Sequence, residues 1–328
     1  MTDVNNIKSG ADMRYDVIGD VHGEFDKLVG LLKHLEYRNT DGVWRHPGRT
    51  AIFVGDLIDR GPGQVATLDV VRSMVEGGAA RCIMGNHEFN AIAWFTRHPE
   101  EPEMFLRPHS EKNTEQHAAF LKEMRHGPRH AEWVAWFKTL PLWLDLGGLR
   151  VVHACWHRES MDRLQPLMGA GNTLTDELIV LGSRKGHWAY EAIEVVCKGP
   201  EVPLPEGISF ADKEGKIRHE VRVRWWQEDL STYRKAAIGP PGDLAMIPDA
   251  PLPQKWLKSF RALSQASGNE GEGAAPVLFG HYWFTGAPKV ISPRFACLDY
   301  SVARGGPLVA YRWDGEAELS TDKLAWIS

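Results

Sequence analysis

Three times in its first quarter the chain runs from a short apolar stretch into a polar, glycine-bracketed segment and then into residues with helical spacing. Tyr15 to Ile18 ends in Gly19-Asp20-Val21-His22-Gly23, after which Leu28, Leu31, Leu32 and Leu35 recur at i, i+3, i+4 and i+7. That period predicts a helix with one buried stripe. Ala51 to Val54 predicts a second strand, closing in Gly55-Asp56-Leu57-Ile58-Asp59-Arg60-Gly61, and a helix through Val65, Leu68, Val71 and Val75 follows. Cys82 to Met84 predicts a third strand, ending in Gly85-Asn86-His87-Glu88. Strands and helices alternating in this way predict a layered α/β fold whose ligands sit at the carboxyl ends of the strands.

The rest of the chain is less regular. Residues 89–147 read as a helical, tryptophan-rich insertion (Trp94, Trp133, Trp136, Trp143), and Val151-Val152 lead into His153-Ala154-Cys155. Residues 160–274 form the least legible stretch. Lys198 to Gly215 reads as a long loop or small hairpin, and Trp256, Phe260 and Leu263 suggest a further helix. Val277 to Phe279 predicts a strand ending in Gly280-His281, and Phe295 to Leu298 and Leu308 to Trp313 predict late strands joined by a Gly305-Gly306 turn. The 328 residues are read as one domain, 1–328, carrying the two insertions.

Composition narrows the function classes. With 38 Lys+Arg against 43 Asp+Glu the net charge is −5, which argues against a broad nucleic-acid-binding face. A phosphorylated substrate stays allowed, because bound cations supply local positive charge. The four cysteines form no CxxC pair, so neither a zinc knuckle nor a dithiol redox motif is indicated. No apolar run approaches the roughly 18 residues of a membrane span, and the first residues lack the apolar stretch of a secretory leader. The expected compartment is the cytoplasm, with no membrane partner.

Chemistry concentrates at five strand ends: Asp20 and His22; Asp56, Asp59 and Arg60; Asn86 and His87; His153; and His281. Carboxylate, imidazole and amide oxygen together suit divalent ions such as Mn, Fe, Zn or Mg. The flanking glycines permit tight turns. Asp56 could bridge two ions, and an ion pair about 3.5–4 Å apart clamps both oxygens of an in-line phosphoryl displacement. Taken singly, a histidine is more often a satisfied core or surface residue, and an Asp in a glycine-rich loop is more often a turn former or helix cap. The repeated placement directly after apolar strands is what favours a metal site. Cys155 reads as a packed thiol. Arg218 to Arg224 alternate with Val221 and Val223, as on the exposed face of a strand.

GDVHG (19–23), GDLIDRG (55–61) and GNHE (85–88) resemble the three signature motifs of calcineurin-like metallophosphoesterases, in particular bacterial-type members of the phosphoprotein phosphatase (PPP) family. HAC (153–155) and GH (280–281) look like later elements of that pattern. The resemblance covers residues 15–155 and 277–281 and says little about 160–274. It implies a central β-sandwich flanked by helices, an α/β arrangement with a dinuclear metal site at the strand ends. Carried over, Asp20, His22 and Asp56 would hold one ion, with Asp56 bridging to a second completed by Asn86, His153 and His281. His87 would be the general acid, Asp59 would orient it, and Arg60 would clamp phosphate oxygens. Histidine titrates near neutrality, a carboxylate partner fixes its tautomer, and arginine offers the fork that phosphate geometry matches. Manganese is the first expectation for the two divalent ions, with Fe, Zn, Mg or Ni as alternatives.

Two departures bear on substrate. Many phosphodiesterases of the wider superfamily end in GHxH, whereas here Gly280-His281-Tyr282-Trp283 lacks the second histidine. This favours a phosphatase acting on phosphomonoesters, a phospho-Ser/Thr protein or a small molecule, by direct attack of a metal-bridging hydroxide. The long gap between His153 and His281 holds candidate second phosphate-binding arginines, Arg184, Arg218, Arg222 and Arg224, of which Arg224 beside Trp225-Trp226 is preferred. The alternative is hydrolysis of diadenosine polyphosphates or other nucleotides. A non-catalytic metal-binding scaffold is disfavoured by the presence of His87, Asp59 and Arg60 together.

Overall fold

Short apolar strands build two sheets that pack face to face. The structure is a computed structural model describing residues 13–124, 128–211, 217–227, 229–239, 241–258 and 275–328. The chain begins with β1 (Tyr15–Ile18), α1 (Phe25–His34), β2 (Arg38–Thr40), β3 (Val43–Arg45), β4 (Thr50–Phe53), α2 (Gln64–Glu76), β5 (Ala80–Cys82) and α3 (Asn86–Phe95). It continues with α4 (Glu111–Gln116), α5 (Ala118–Met124), α6 (Pro128–Phe137), β6 (Trp143–Asp145), β7 (Arg150–Val152), α7 (Arg158–Leu164), α8 (Asp176–Ser183) and α9 (Trp188–Lys198). Next come β8 (Glu201–Pro203), β9 (Phe210–Ala211), β10 (Ile217–Arg218), β11 (Glu220–Arg222), α10 (Tyr233–Ala236) and α11 (Pro241–Met246). The last strands are β12 (Val277–Phe279), β13 (Phe295–Cys297), β14 (Leu308–Trp313) and β15 (Leu324–Ile327).

One sheet has the order β15-β14-β1-β4-β5 and the other β13-β12-β7-β6. In the first, β1, β4 and β5 run parallel, with Val17 level with Ile52 and Ile52 level with Arg81. In the second, β12 is parallel to both β13 and β7. Val17, Ile52, Val54, Val309 and Tyr311 of the first sheet share a core with Val151, Leu278, Ala296 and Leu298 of the second. Their sequence neighbours Ile18, Phe53, Val152, Phe279 and Phe295 belong to the other core, which the sheets form with the helices. Strands buried on both faces therefore read as continuous apolar runs. The fold is the expected α/β arrangement, a β-sandwich flanked by helices. Among the described residues no helix is long and apolar enough to cross a membrane.

Several local readings shift. The third strand is paired over Ala80–Cys82 rather than Cys82–Met84, because Met84 N–H leaves the ladder for Pro141 O at 2.8 Å. The 89–147 insertion is helical through α3 to α6, but Trp143 lies in β6, an antiparallel edge strand against β7. Within 160–274, α8 and α9 are regular helices that the sequence reading missed. The Lys198–Gly215 segment is the first arm of nested pairings, β8 with β11 and β9 with β10. Residues 254–258 are helical, and Phe260 and Leu263 lie outside the described residues. β13 and β14 do not form a hairpin across Gly305-Gly306. They belong to different sheets, so the connection between them crosses from one sheet to the other.

Candidate metal centre

The carboxyl ends of β1, β4 and β5 meet those of β7 and β12, and side-chain-to-backbone bonds tie the two sheets together there. Within the second sheet, Gly280 N–H donates to His153 O at 2.9 Å. His153 Nδ1–H donates across the sandwich to Val54 O at 2.7 Å. The N–H of His281 donates to Asp20 Oδ2 at 3.1 Å. Polar loops from both sheets thereby converge on one spot.

Among the described residues, two groups of metal-capable side chains lie there, each with ligand atoms within 4.8 Å of one another: His22, Asp56 and His87, and Asp56, His153 and His281. Asp56 belongs to both. Asn86 joins through Oδ1, 3.2 Å from His153 Nε2, and Asp20 through its contact with His281. Asp20, His22, Asp56 and His153 are no more than 2% exposed.

The donor set fits divalent cations. The Nδ1–H of His22 donates to Ile58 O at 2.9 Å, as that of His153 does to Val54 O, leaving both Nε2 atoms facing inward. A backbone carbonyl fixing the outer nitrogen is the usual support of a metal-binding imidazole. The Nε2 atoms of His22 and His281 are buried without a hydrogen-bond partner. His153 Nε2 stands 3.4 Å from Asp56 Oδ1 and 3.2 Å from Asn86 Oδ1, so either a proton or a cation must sit between the nitrogen and these oxygens. Electrostatics follows the same pattern. Burial alone would lower the His153 pKa, yet the charges of Asp56 and Asp20 push it up to about 10. Burial, then His87, pulls His22 down to about 3. For Asp56, burial is outweighed by His153 and His87, which hold its carboxyl well below the ordinary range.

The backbone is tightly turned here. Gly23 (φ 68°) and Gly55 (91°) take the left-handed conformations that flanking glycines permit, and so do the functional side chains His22 (φ 48°), Asp56 (50°), Asp59 (68°), Arg60 (73°) and His281 (73°). Such strain persists only where the surroundings over-determine it. Gly85 and Gly280 serve close approach instead, since a Cβ would meet Asp56 Oδ1 at 2.2 Å and Asp20 Oδ1 at 1.9 Å respectively. Glu88 supplies much of the constraint. Fully buried, its carboxylate accepts the N–H groups of Asp56 (2.9 Å), Leu57 (2.8 Å) and Gly85 (2.9 Å), tying two strand-end loops together. Each buried donor left unpaired costs roughly 1–3 kcal/mol.

Beside these groups His87 Nδ1 lies 2.5 Å from Asp59 Oδ2, and His117 Nδ1 lies 2.7 Å from Asp59 Oδ1. Burial would raise the Asp59 pKa, but the hydrogen bonds from His117 and His87 hold it well below the carboxylate range. Burial would lower that of His87, but Asp56 and Asp59 raise it. Arg60 is exposed, its guanidinium 4.8 Å from the ring centre of Trp283, and Arg304 stands 5.2 Å from the same ring. Both arginines line a recess with His22, Trp283, Asp299, Ser301 and Ala303. Asp299, buried beneath it, accepts Trp283 N–H at 2.8 Å and Ser301 N–H at 2.9 Å.

The structure thus brings together Asp20, His22, Asp56, Asn86, His153, His281, His87, Asp59 and Arg60. No described contact joins Arg224 to them. Its guanidinium is half-buried, and the backbone N–H of Arg224 donates to Ala236 O at 2.7 Å. Arg184 pairs with Glu100 at 2.8 Å. Arg222 is the arginine of that stretch whose charge acts on His281. Cys155 is a buried thiol pushed well up by burial, in keeping with a packing role. Sequence reasoning missed His117, Asp299, Trp283 and Arg304, and gave Glu88 no role.

Residues 13–204 match the family model of calcineurin-like phosphoesterases. A bis(5'-nucleosyl)-tetraphosphatase PrpE [asymmetrical] of Geobacillus sp. (strain WCH70) is 32% identical over 154 residues, 46% of this chain and 61% of that protein, so the match spans less than two thirds of that relative. A bis(5'-nucleosyl)-tetraphosphatase, symmetrical, of Klebsiella pneumoniae (strain 342) is 39% identical over 308 residues, 91% of this chain and 90% of that one. Of solved structures, a cold-active protein tyrosine phosphatase superposes with a TM-score of 0.48 at 16% identity, over 93% of this chain and 77% of that one. On its motifs, the extent of the family match and its near full-length relative, the chain belongs to the calcineurin-like phosphoesterase family.

Proposed function

We propose that this chain is a dinuclear metal-dependent hydrolase of bis(5'-nucleosyl) polyphosphates. The observation that carries the reading is the pair of guanidiniums, Arg60 and Arg304, on one indole beside the metal-capable cluster. Two guanidiniums lining one recess, both against the Trp283 ring, suit a chain of phosphates. The activity named for the 39% identical relative supports the same choice.

Asp20, His22 and Asp56 would hold one ion, and Asp56, Asn86, His153 and His281 the other. When bound, the ions supply Lewis acidity and offset charge at the phosphoryl group. The protein's own groups do the rest. Arg60 holds the non-bridging oxygens of the phosphate under attack, and Arg304 the next phosphate along. His87 delivers a proton from Nε2 to the leaving oxygen, with Asp59 holding its Nδ1–H. Manganese is the first metal to supply.

A second reading, a phosphatase of phosphomonoesters, is favoured by Gly280-His281-Tyr282-Trp283, which offers no second histidine after the motif. Metal-stripped, Mn-reconstituted protein given diadenosine tetraphosphate, p-nitrophenyl phosphate and its bis-ester separates the two. The dinucleotide is expected to show the highest kcat/KM, by about tenfold or more over the monoester. Turnover of the monoester alone would move the assignment to phosphomonoesters.

A further inference from the structure

The insertion between α3 and β6 grips the Asp59–Arg60 loop from outside. α4 is capped at its start by Ser110, whose hydroxyl accepts Asn113 N–H at 3.3 Å, and at its end by His117. That position turns the His117 ring inward. It is 1% exposed, lies near-parallel to Phe120 with centroids 4.9 Å apart, and stands 5.7 Å from the Trp94 ring centre. His117 Nε2 is buried without a hydrogen-bond partner, so the proton that serves Asp59 Oδ1 is the one on Nδ1. In α5, Glu123 accepts the N–H groups of Gln64 and Val65, each at 2.9 Å, at the start of α2. Gln64 in turn accepts Asp59 N–H at 2.6 Å and donates to Gly61 O at 2.7 Å. The loop is therefore held at its carboxylate and at its exit by one helical segment.

Asp59 has one oxygen on His87 and the other on His117. With both oxygens bound, the carboxylate plane cannot rotate. With one bound, it can turn in a pocket where no water need follow, and the His87 ring would turn with it. We propose that His117 is a positioning residue: by holding Asp59 Oδ1 it fixes the carboxylate that orients His87, and so governs proton delivery to the leaving oxygen. The proposal rests on reading His87 as the general acid.

The test compares His117→Leu, which keeps bulk and loses the donor, with His117→Asn, whose amide nitrogen replaces Nδ1. Phenyl phosphate, which needs its leaving oxygen protonated, is set against p-nitrophenyl phosphate, which does so far less. On Mn-loaded protein, His117→Leu is expected to lower kcat on phenyl phosphate by about 10- to 100-fold, with a much smaller loss on p-nitrophenyl phosphate. KM should stay within about twofold, and His117→Asn should regain most of the loss. Equal losses on both esters, a loss confined to KM, no loss, or His117→Asn as poor as His117→Leu would each overturn the proposal. A readout independent of turnover is the low-field proton resonance of His87 Nδ1–H in metal-free protein. It should move in His117→Leu and return in His117→Asn. An unmoved resonance overturns the positioning role, whereas wild-type protein inactive on both monoesters and on diadenosine tetraphosphate overturns only the functional reading.

Discussion

Replacing Asp56 by asparagine is expected to empty both ion positions at once and to lower kcat by at least about 1000-fold. The carboxylate is shared: Oδ1 lies 3.4 Å from His153 Nε2, and Oδ2 lies 3.8 Å from the Nε2 atoms of both His22 and His87. An amide of the same shape keeps the packing but removes the charge common to both groups. It also leaves His153 with less reason to hold a cation, since Asp56 is the first of the charges raising that imidazole. The variant should fold, because Asp56 N–H remains bound to Glu88. Metal content after exhaustive dialysis, measured beside kcat, checks this. A variant that keeps both ions would show that Asp56 does not bridge.

His87→Ala should separate chemistry from metal binding. Turnover is expected to fall by about 100- to 10,000-fold while both ions are retained. His87 belongs to the Asp56 group by distance, yet its Nδ1 is committed to Asp59 and its ring is less buried than those of His22 and His153. Its pKa is raised, so the protonated acid is present below that pKa and is lost as the pH rises through it. The kcat profile of the wild type should therefore fall on an alkaline limb above the ordinary histidine range of about 6.5. In Asp59→Asn that limb should move to lower pH, because the hydrogen bond and charge that raise the pKa are weakened. Loss of metal from His87→Ala would make the residue a ligand rather than the acid.

What could be read from the sequence was what is local. Each of Asp20, Asp56, Asn86, His153 and His281 sits at the end of its own apolar strand, so pattern and position coincide. His117 carries no such mark: it lies 58 residues from Asp59, in a helical segment whose spacing records only its own packing. Arg304 and Trp283 meet only because the chain crosses between sheets after Phe295–Cys297, where a pair of glycines suggested a hairpin. Glu88 could have been found, since Glu at the third helical position behind Gly85 is where a side chain reaches back to the free N–H groups of a helix start. α9 carried a readable stripe too, Ala189, Ala192, Ile193, Val196 and Cys197, ahead of Gly199 at φ 83°. Its small and β-branched residues obscured it.

Six side chains from two sheets are proposed to hold a pair of ions around Asp56. Crystals of Mn-reconstituted protein, measured at the manganese absorption edge, test this arrangement most directly. Two anomalous peaks about 3.5–4 Å apart are expected, one on each side of Asp56. A single peak, or peaks away from Asp56, would contradict it.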